Sequence, residues 1–341
     1  RYAALGTSKA LYIYYEDKFY DVTPLATAIT GATFTSTNGS NTVTVNKTSH
    51  SLDVGEYLTF TSVTLPGGGA TGFTVADFQD FTYEVLTAPN ANSFTIQMKT
   101  NESGTGMTAA GSASINPYEE IGPTIQTYGY GWGTGTWSRG TWGSATTSST
   151  VILDPGTWSL DNFGQQLIAT VKDGKTFVWN PGLSNPLDNR AVIMSGAPTA
   201  SRLTITSDRD RHVVHFGTET TIGDPATQDP MFIRFSDQEN FSVYQPTSIN
   251  TAGTFRLDTG NKIVAAVSGK DYNLILTDQA AYTMQFVGPP FTFSIRQVGS
   301  NCGCIGQHAT VYADGKVFWM GSGGGFFVFD GTVKLLPSLV E

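Results

Sequence analysis

The sequence predicts an all-β protein, namely a β-propeller-like body of four-stranded blades that carries an inserted small β-barrel or sandwich domain. Three observations predict this class. Glycine is abundant, with 38 among 341 residues, and no long run places apolar residues at helical spacing. Short apolar runs alternate with Asp-Gly, Asn-Gly and Pro-Gly turn signals. The same order of strands and turns recurs along the chain, as expected for a repeat architecture.

The clearest copy of the repeat is the stretch from Asn301 to Pro337. Its four apolar runs are separated by Asp314-Gly315, by a loop from Gly321 to Gly325, and by Asp330-Gly331. Asp-Gly pairs favour tight hairpin turns because both residues tolerate the left-handed backbone that such turns need. We therefore predict four antiparallel strands here, which together form one blade.

Four other stretches share this order of strand, turn, aromatic-bearing strand, turn and a further strand that ends near proline. They are residues 2–24, 167–186, 213–246 and 263–297. A single blade cannot bury both of its faces, so neighbouring blades must cover them. The aromatic residues in like positions are predicted to pack between blades: Tyr12, Tyr14, Phe177, Trp179, Phe232, Phe235, Tyr282, Phe286, Phe318 and Phe329.

Residues 31–116 do not follow the blade pattern and predict a separate inserted β-domain. Strands are expected at Thr42–Val45, Tyr57–Thr61, Thr82–Leu86 and Ser93–Met98, within a module of five or six strands. The predicted organisation is a first part of the body over 1–30, the insertion over 31–116, and a second part of the body over 117–341.

A run of alternating glycine and aromatic residues occupies positions 128–143. Glycine at every second position denies this run a packed strand face of its own. Two interpretations stay open: an arm that clasps a neighbouring subunit or partner, and a loop folded onto its own body. The candidate interface residues are Tyr128, Tyr130, Trp132, Trp137 and Trp142.

Charge and cysteine usage narrow the function classes. The net charge of −9 lacks the basic face of proteins that grip nucleic acid, although an acidic surface lets DNA pass without sticking. Cys302 and Cys304 are too close for an unstrained disulfide and too few for a zinc site, which favours two reduced, buried thiols.

The sequence contains no run of 18 apolar residues, so it predicts no membrane-spanning helix. The chain starts at Arg1 within an apparent strand, so we expect a segment of a longer polypeptide.

Candidate catalytic patterns are weak. His212 and His215 are three residues apart on a predicted strand, so they face opposite sides and make poor co-ligands for a metal. No nucleophile elbow or phosphate loop occurs. The run VKDGKTFVW invites comparison with the Asp-box of sialidase-like propellers, but Asp173 and Gly174 are adjacent, so the box is not met. We predict no cofactor, no metal and no enzymatic activity.

Many short stretches, in order, resemble tail nozzle or tail-hub proteins of short-tailed bacteriophages, also called tail tubular protein B or stabilisation protein. They include GTSKALYIYYEDKFYDVTPL, YGWGTGTWSRGTWG, IRFSDQENFSVYQPTSINTAG and VGSNCGCIGQHATVYADGKVFWMG. The resemblance covers almost the whole chain outside residues 31–116.

This resemblance implies a virion protein, assembled in the host cytoplasm, that forms a homo-oligomeric ring, usually a hexamer. The ring lies below the portal and adaptor, closes the tail tube and conducts DNA outward without binding it specifically. Its loops contact the adaptor and the tail fibres or needle. Two rival functions stay open, a carbohydrate-binding or carbohydrate-hydrolysing propeller and a bacterial surface adhesion module.

Overall fold

Short strands make up the chain in a computed structural model, which describes residues 2–67, 72–121, 156–288 and 291–337. The chain divides into two compact units. The first holds residues 1–8, 13–20 and 121–341, and the second holds residues 9–12 and 21–120. The predicted all-β class is confirmed, because antiparallel sheets account for nearly all of the regular secondary structure in the described residues. The predicted domain boundaries at 31 and 116 stay a prediction.

The larger unit contains four sheets of four strands, each built from one continuous stretch of chain. The strands of the first two sheets are β11 (Trp158–Phe163), β12 (Gln166–Val171), β13 (Thr176–Trp179) and β14 (Val192–Ile193), then β15 (Leu203–Ser207), β16 (His212–Phe216), β17 (Phe232–Phe235) and β18 (Gly253–Arg256). Those of the last two are β19 (Ile263–Ser268), β20 (Asn273–Thr277), β21 (Ala280–Gly288) and β22 (Thr292–Ser300), then β23 (Thr310–Ala313), β24 (Lys316–Met320), β25 (Phe326–Phe329) and β26 (Val333–Leu336). A three-stranded sheet precedes them, with β1 (Ala3–Gly6), β2 (Leu11–Tyr15) and β3 (Lys18–Asp21).

The first strands of consecutive sheets contact one another, from β1 to β11, β15, β19 and β23. This is the arrangement of blades in a propeller, where the first strand of each blade lies innermost. Apolar clusters fill the space between consecutive sheets. In β20, for example, Ile275 packs toward the preceding sheet while Leu274 and Leu276 pack toward the following one. The alternation of side chains along the strand thus supplies both interfaces.

The aromatic residues predicted to pack between blades differ in burial. Phe177, Trp179, Phe235, Tyr282 and Phe329 are buried, and the other five are half-buried.

Two strands of the body lie where the sequence pattern does not predict them. The pattern places the first strands of the second and third blades at Leu167 and Val213, but these residues belong to second strands, because β11 and β15 come before them. The repeat pattern also predicts a strand at Phe241–Tyr244, but this stretch is not a strand. The fourth strand of that sheet is β18, which follows a long loop that Asp237 organises by accepting hydrogen bonds from Thr251.

The smaller unit is a seven-stranded sheet with strand order β7-β6-β10-β4-β5-β9-β8. Its elements are β4 (Ile29–Ser36), β5 (Thr42–Asn46), β6 (Tyr57–Thr64), α1 (Val75–Gln79), β7 (Tyr83–Glu84), β8 (Thr87–Asn90), β9 (Ser93–Gln97) and β10 (Met107–Pro117). The sheet curls so that β7 contacts β9. Phe34, Phe60, Phe78 and Phe94 fill its interior, and a capping box between Thr74 and Asp77 starts the short helix.

Two short 3-10 helices, Pro186–Asp188 and Pro225–Thr227, complete the regular structure of the larger unit. Each has proline at its first position, where the missing N–H would have no partner inside the helix.

Candidate functional site

A pocket of about 230 Å³ lies where the first strands of the body begin. Its walls come from all four four-stranded sheets, through the residues that precede β15, β19 and β23 and through the turns that follow β12, β20 and β24. Concave sites at the mouth of a barrel-like or propeller-like body are the usual places for small ligands. This pocket is therefore the candidate site of the larger unit.

Three basic side chains and one carboxylate line the pocket: Lys172, Arg202, Lys262 and Asp278. All four are half-buried. Arg202 forms an ion pair of 3.5 Å with Asp173 in the neighbouring turn. The pocket wall therefore holds groups of both charges, and one of its basic groups is already paired.

Asp278 is held by its own sheet. Its Oδ1 accepts hydrogen bonds from the backbone N–H of Asn261 and Lys262, and its Oδ2 accepts one from the Asn261 side chain. Burial alone would raise the pKa of Asp278, but the hydrogen bonds from Asn261 and Lys262 outweigh it and lower that pKa. The carboxylate therefore stays ionised and fixes the turn rather than serving as a proton donor.

The carboxyl groups of the pocket can be compared with those that the carbohydrate-hydrolysing alternative requires. Most glycoside hydrolases use two carboxyl groups about 5–10 Å apart, one of them with a raised pKa. The residues that line the pocket in the described part of the chain include only the one carboxylate, and its pKa is lowered. The pocket thus lacks the arrangement that would favour this chemistry.

A buried Ser–His–Tyr chain lies between the first and second four-stranded sheets, which span residues 158–256. The Ser201 hydroxyl is 3.0 Å from His215 Nδ1, and His215 Nε2 is 3.1 Å from the Tyr244 hydroxyl, which donates to Met194 Sδ. Burial, followed by the nearby charge of Arg234, lowers the pKa of His215 to about 3. A general base works best with a pKa near the operating pH. Because Ser201 is also fully buried, this chain is structural.

The same polar chain joins one sheet to the next. Thr204 Oγ1 is 3.2 Å from His215 Nδ1 and 2.8 Å from Thr170 Oγ1 of the preceding sheet. Beside it, Ser159 Oγ donates to the Thr204 carbonyl and Asp161 Oδ2 accepts from the Thr206 N–H. Side-chain hydrogen bonds therefore join the first strands of neighbouring blades, and they fix the position of one strand along the other.

The two histidines of β16 face opposite sides, in agreement with the strand alternation. His212 Nε2 is 3.1 Å from Thr251 Oγ1, and its ring packs against Phe235, Phe286 and Phe293. Within the described ranges, no group of three or more His, Cys, Asp or Glu is placed to hold a metal ion.

Cys302 and Cys304 are free and buried, and burial raises the pKa of both thiols. Their backbone N–H groups donate to the carbonyls of Gln279 and Thr277, so the Cys-Gly-Cys segment pairs with the end of the preceding sheet. Trp319 Nε1 donates to the Cys302 carbonyl at 2.8 Å. These cysteines therefore hold a junction between two blades.

The last sheet, β23 to β26, packs one of its faces against the preceding sheet. Strand register places Val317, Trp319, Phe329 and Val333 on the covered face, against the preceding sheet. The opposite side, here named the outer face, carries six apolar residues and two lysines: Val311, Phe318, Met320, Phe326, Val328, Leu336, Lys316 and Lys334. Val311 and Phe326 are 56% and 47% exposed. Apolar surface gathered on one sheet face marks an interaction site.

The predicted interface arm, Tyr128, Tyr130, Trp132, Trp137 and Trp142, lies outside the described residues.

The basic residues of the pocket were not predicted from the sequence, because they are far apart in the chain. One signal was present: Arg202 and Lys262 each stand immediately before the first strand of a sheet. Aligned on β15 and β19, the two positions coincide.

Comparisons with known proteins give distant likenesses to solved structures. The phage phi92 endosialidase is 12% identical, with a TM-score of 0.29, over 93% of this chain and 52% of that one, so this chain spans about half the length of that structure. The BBS1N chain, solved in complex with ARL6DN, is 9% identical with a TM-score of 0.37, over 99% and 78% of the two chains. At TM-scores this low, neither likeness bears on function.

No family model and no curated protein matches the sequence. In the portion of the chain that the structure covers, no helix has the length and apolar character to cross a membrane.

Proposed function

We propose that this chain is a structural protein of a short phage tail and forms its nozzle, a ring, with six copies the expected number, that closes the tail tube and conducts DNA during ejection. The ring's partners are the adaptor on the portal side and the tail fibres or needle. The supports are the sequence resemblance, the propeller-like body and, above all, the outer face of the last sheet.

The outer face is the main support for the proposal, because its apolar side chains resemble those that pack between neighbouring sheets. The covered face of the same sheet presents aliphatic and aromatic side chains to a neighbouring sheet, and the outer face presents the same types beside Lys316 and Lys334. Lys334 on the edge strand β26 pairs with Asp330 at 2.7 Å. A charged lysine on an edge strand discourages strand addition. Contact through the face, with a β-sheet of a neighbouring copy, is therefore favoured over contact through the edge.

The charge of the chain fits a conduit. DNA is retained by proteins that neutralise its phosphates with lysine and arginine. A chain with a net charge of −9 offers DNA a surface that repels it on average. Passage without specific binding follows from that repulsion.

The decisive experiment is native mass spectrometry and electron microscopy of the full-length protein, alone and with its adaptor. We expect a closed ring with an axial channel. Val311→Lys with Phe326→Lys should abolish or strongly reduce ring formation, because two charges would be buried against an apolar sheet. The control is Ile249→Lys, since Ile249 is 95% exposed and lies in the loop before β18, which belongs to a different sheet.

A protein that stays monomeric with its adaptor would overturn the nozzle function. Rings that form equally well with the doubly substituted protein would instead overturn the role of the outer face. Thermal unfolding of each variant distinguishes the loss of the interface from the loss of the fold. Because the replaced side chains are already half exposed, we expect the Tm of the variants to stay close to that of the unaltered protein.

A further inference from the structure

We propose that copies of this chain associate head to tail: the outer face of the last sheet of one copy packs against an exposed aromatic face of the three-stranded first sheet, β1 to β3, of the next copy. This inference rests on the proposed function, because the nozzle requires a ring of copies. A cyclic ring of more than two copies is built from heterologous contacts, in which two different surfaces of each copy meet. The outer face therefore needs a partner surface of a different kind on the same chain.

One face of the first sheet packs on the sheet that follows it, β11 to β14. The ring centroid of Tyr2 lies 5.3 Å from that of Trp179, and the ring centroid of Tyr15 lies 4.8 Å from that of Tyr2. A Cβ built on Gly6 would lie 2.5 Å from the Trp158 side chain. These contacts identify the side of the first sheet that the following sheet covers.

The opposite side of the first sheet is apolar and exposed. Leu5 precedes Gly6 and Tyr14 precedes Tyr15, so strand alternation directs the side chains of Leu5 and Tyr14 away from the following sheet. The ring centroid of Phe19 lies 5.0 Å from that of Tyr14, which places Phe19 on this side too. Leu5 is 44% exposed and Phe19 is 65% exposed. We name the surface defined by Leu5, Tyr14 and Phe19 the first-sheet face.

The order of the sheets indicates why the two faces suit each other. Within the body, a sheet presents one face to the sheet before it and the other face to the sheet after it, as Ile275 and its neighbours Leu274 and Leu276 show. The outer face is the side of the last sheet on which a following sheet would pack. The first-sheet face is the side of the first sheet on which a preceding sheet would pack. Docking of the two faces between copies thus repeats the contact that joins consecutive sheets within the chain.

The side chains of both faces have the distribution of a protein interface, with an apolar centre and a charged margin. Phe318 and Val328 lie opposite each other in the two central strands of the outer face. Its lysines stand at the margin, because Lys316 begins β24 and Lys334 lies on the edge strand β26. Asp17 stands in the turn beside the first-sheet face. Charges of opposite sign at the two margins favour this docking over contact between like faces.

The test compares two doubly substituted variants of the full-length chain by native mass spectrometry, separately and as an equimolar mixture. Leu5→Lys with Phe19→Lys blocks the first-sheet face, and Val311→Lys with Phe326→Lys blocks the outer face. Each variant alone should stay monomeric at concentrations where the unaltered protein assembles, because two charges would be buried against an apolar sheet. The mixture should form dimers of one copy of each variant and nothing larger, since such a dimer has one intact contact and two blocked ends.

The matched control is Phe255→Lys with Val287→Lys, which replaces one aromatic and one aliphatic side chain that are also exposed, on the second and third four-stranded sheets. It should assemble as the unaltered protein does. Thermal unfolding checks the fold of every variant. If Leu5→Lys with Phe19→Lys fails to fold, Phe19→Lys alone takes its place and should weaken association at least about tenfold, which is about 1.4 kcal/mol.

The head-to-tail contact and the nozzle function fail on different results. Rings or dimers formed by Leu5→Lys with Phe19→Lys as readily as by the unaltered protein would overturn the contact and leave the ring in place, as would a mixture that holds only monomers. Open chains of the unaltered protein that never close would retain the contact and overturn the nozzle. An unaltered protein that stays monomeric with its adaptor would overturn both.

Discussion

His215 shows at the scale of one residue how a side chain with catalytic potential becomes structural. Its imidazole is fully buried, with polar partners at both ring nitrogens. Tyr244 donates to Met194, so the geometry assigns the imidazole proton to Nε2, which then donates to Tyr244. The ring therefore works as a neutral bridge between two blades.

This burial predicts how stability depends on pH. In the unfolded chain His215 takes up a proton near its ordinary pKa of about 6.5, whereas in the fold its pKa is lowered to about 3. The unfolded state thus binds more protons between these values, so stability falls as the pH falls from about 6.5 toward 3. The contribution of this group to the slope is about 1.4 kcal/mol per pH unit.

The measurement is urea unfolding of the unaltered protein and of His215→Gln at a series of pH values. We expect His215→Gln to be less stable at neutral pH and to lose stability less steeply on acidification. His308→Gln is the control, since His308 is exposed and changes its surroundings little on unfolding. Equal slopes for the unaltered protein and His215→Gln would contradict the assignment.

The Cys-Gly-Cys segment is the informative element at the next scale. A Cβ built on Gly303 would lie 2.0 Å from the carbonyl oxygen of Asp278, so only glycine allows the segment to lie this close to the preceding sheet. The motif is therefore a packing requirement, with the two cysteines, predicted as reduced and buried thiols, as small buried side chains on either side of an obligatory glycine.

Gly303→Ala should destabilise the larger unit by about 1–3 kcal/mol, because the backbone must shift to relieve the overlap. Gly323→Ala is the matched control, since nothing lies within 4 Å of its Cβ position and its φ is not positive. Thermal unfolding of both variants provides the comparison. If the two substitutions had the same effect, the close approach at Gly303 would not be the reason for the glycine.

The length and residue types of the turns determine which strands can be predicted from the sequence. The last two sheets follow the pattern because their turns are short, and Asp314 and Gly315 have φ values of 50° and 76°, as a tight hairpin requires. The strand β11 reads WSLDNF, and its Asp161 and Ser159 look like loop residues. They are polar because they bond to the next first strand, an interaction between sheets that has no signature in local sequence. The basic pocket escaped prediction for the same reason.

At the scale of the whole molecule, the chain combines a body made of local sheets with a unit whose sheet is assembled from distant strands. In the smaller unit β10 pairs with both β4 and β6, so Ile115 lies opposite Ile29 in one strand and Phe60 in the other. All of these strands lie within residues 29–117. The pairing of this sheet therefore joins strands that lie far apart in the chain.

We expect a variant lacking residues 31–116 to fold. Its circular dichroism should stay that of a β protein, and the Tm of the body should shift by no more than about 4 °C, equivalent to about 1 kcal/mol. Residues 21–120 expressed alone should unfold in one cooperative transition, because their core is internal to the unit. Complete loss of soluble folded protein on deletion would contradict the predicted independence.

The continuity of each blade has a consequence for biosynthesis. The four sheets of the body occupy 158–193, 203–256, 263–300 and 310–336, so none waits for a partner strand from elsewhere in the chain. Closing short loops is entropically cheap and fast, whereas pairing β4 with β10 requires most of the insertion to be present. During translation, each blade can therefore form as it leaves the ribosome and dock on the blade before it. Of these four sheets, the one from β23 to β26 is synthesised after the other three, so its outer face is completed only after those three sheets have left the ribosome.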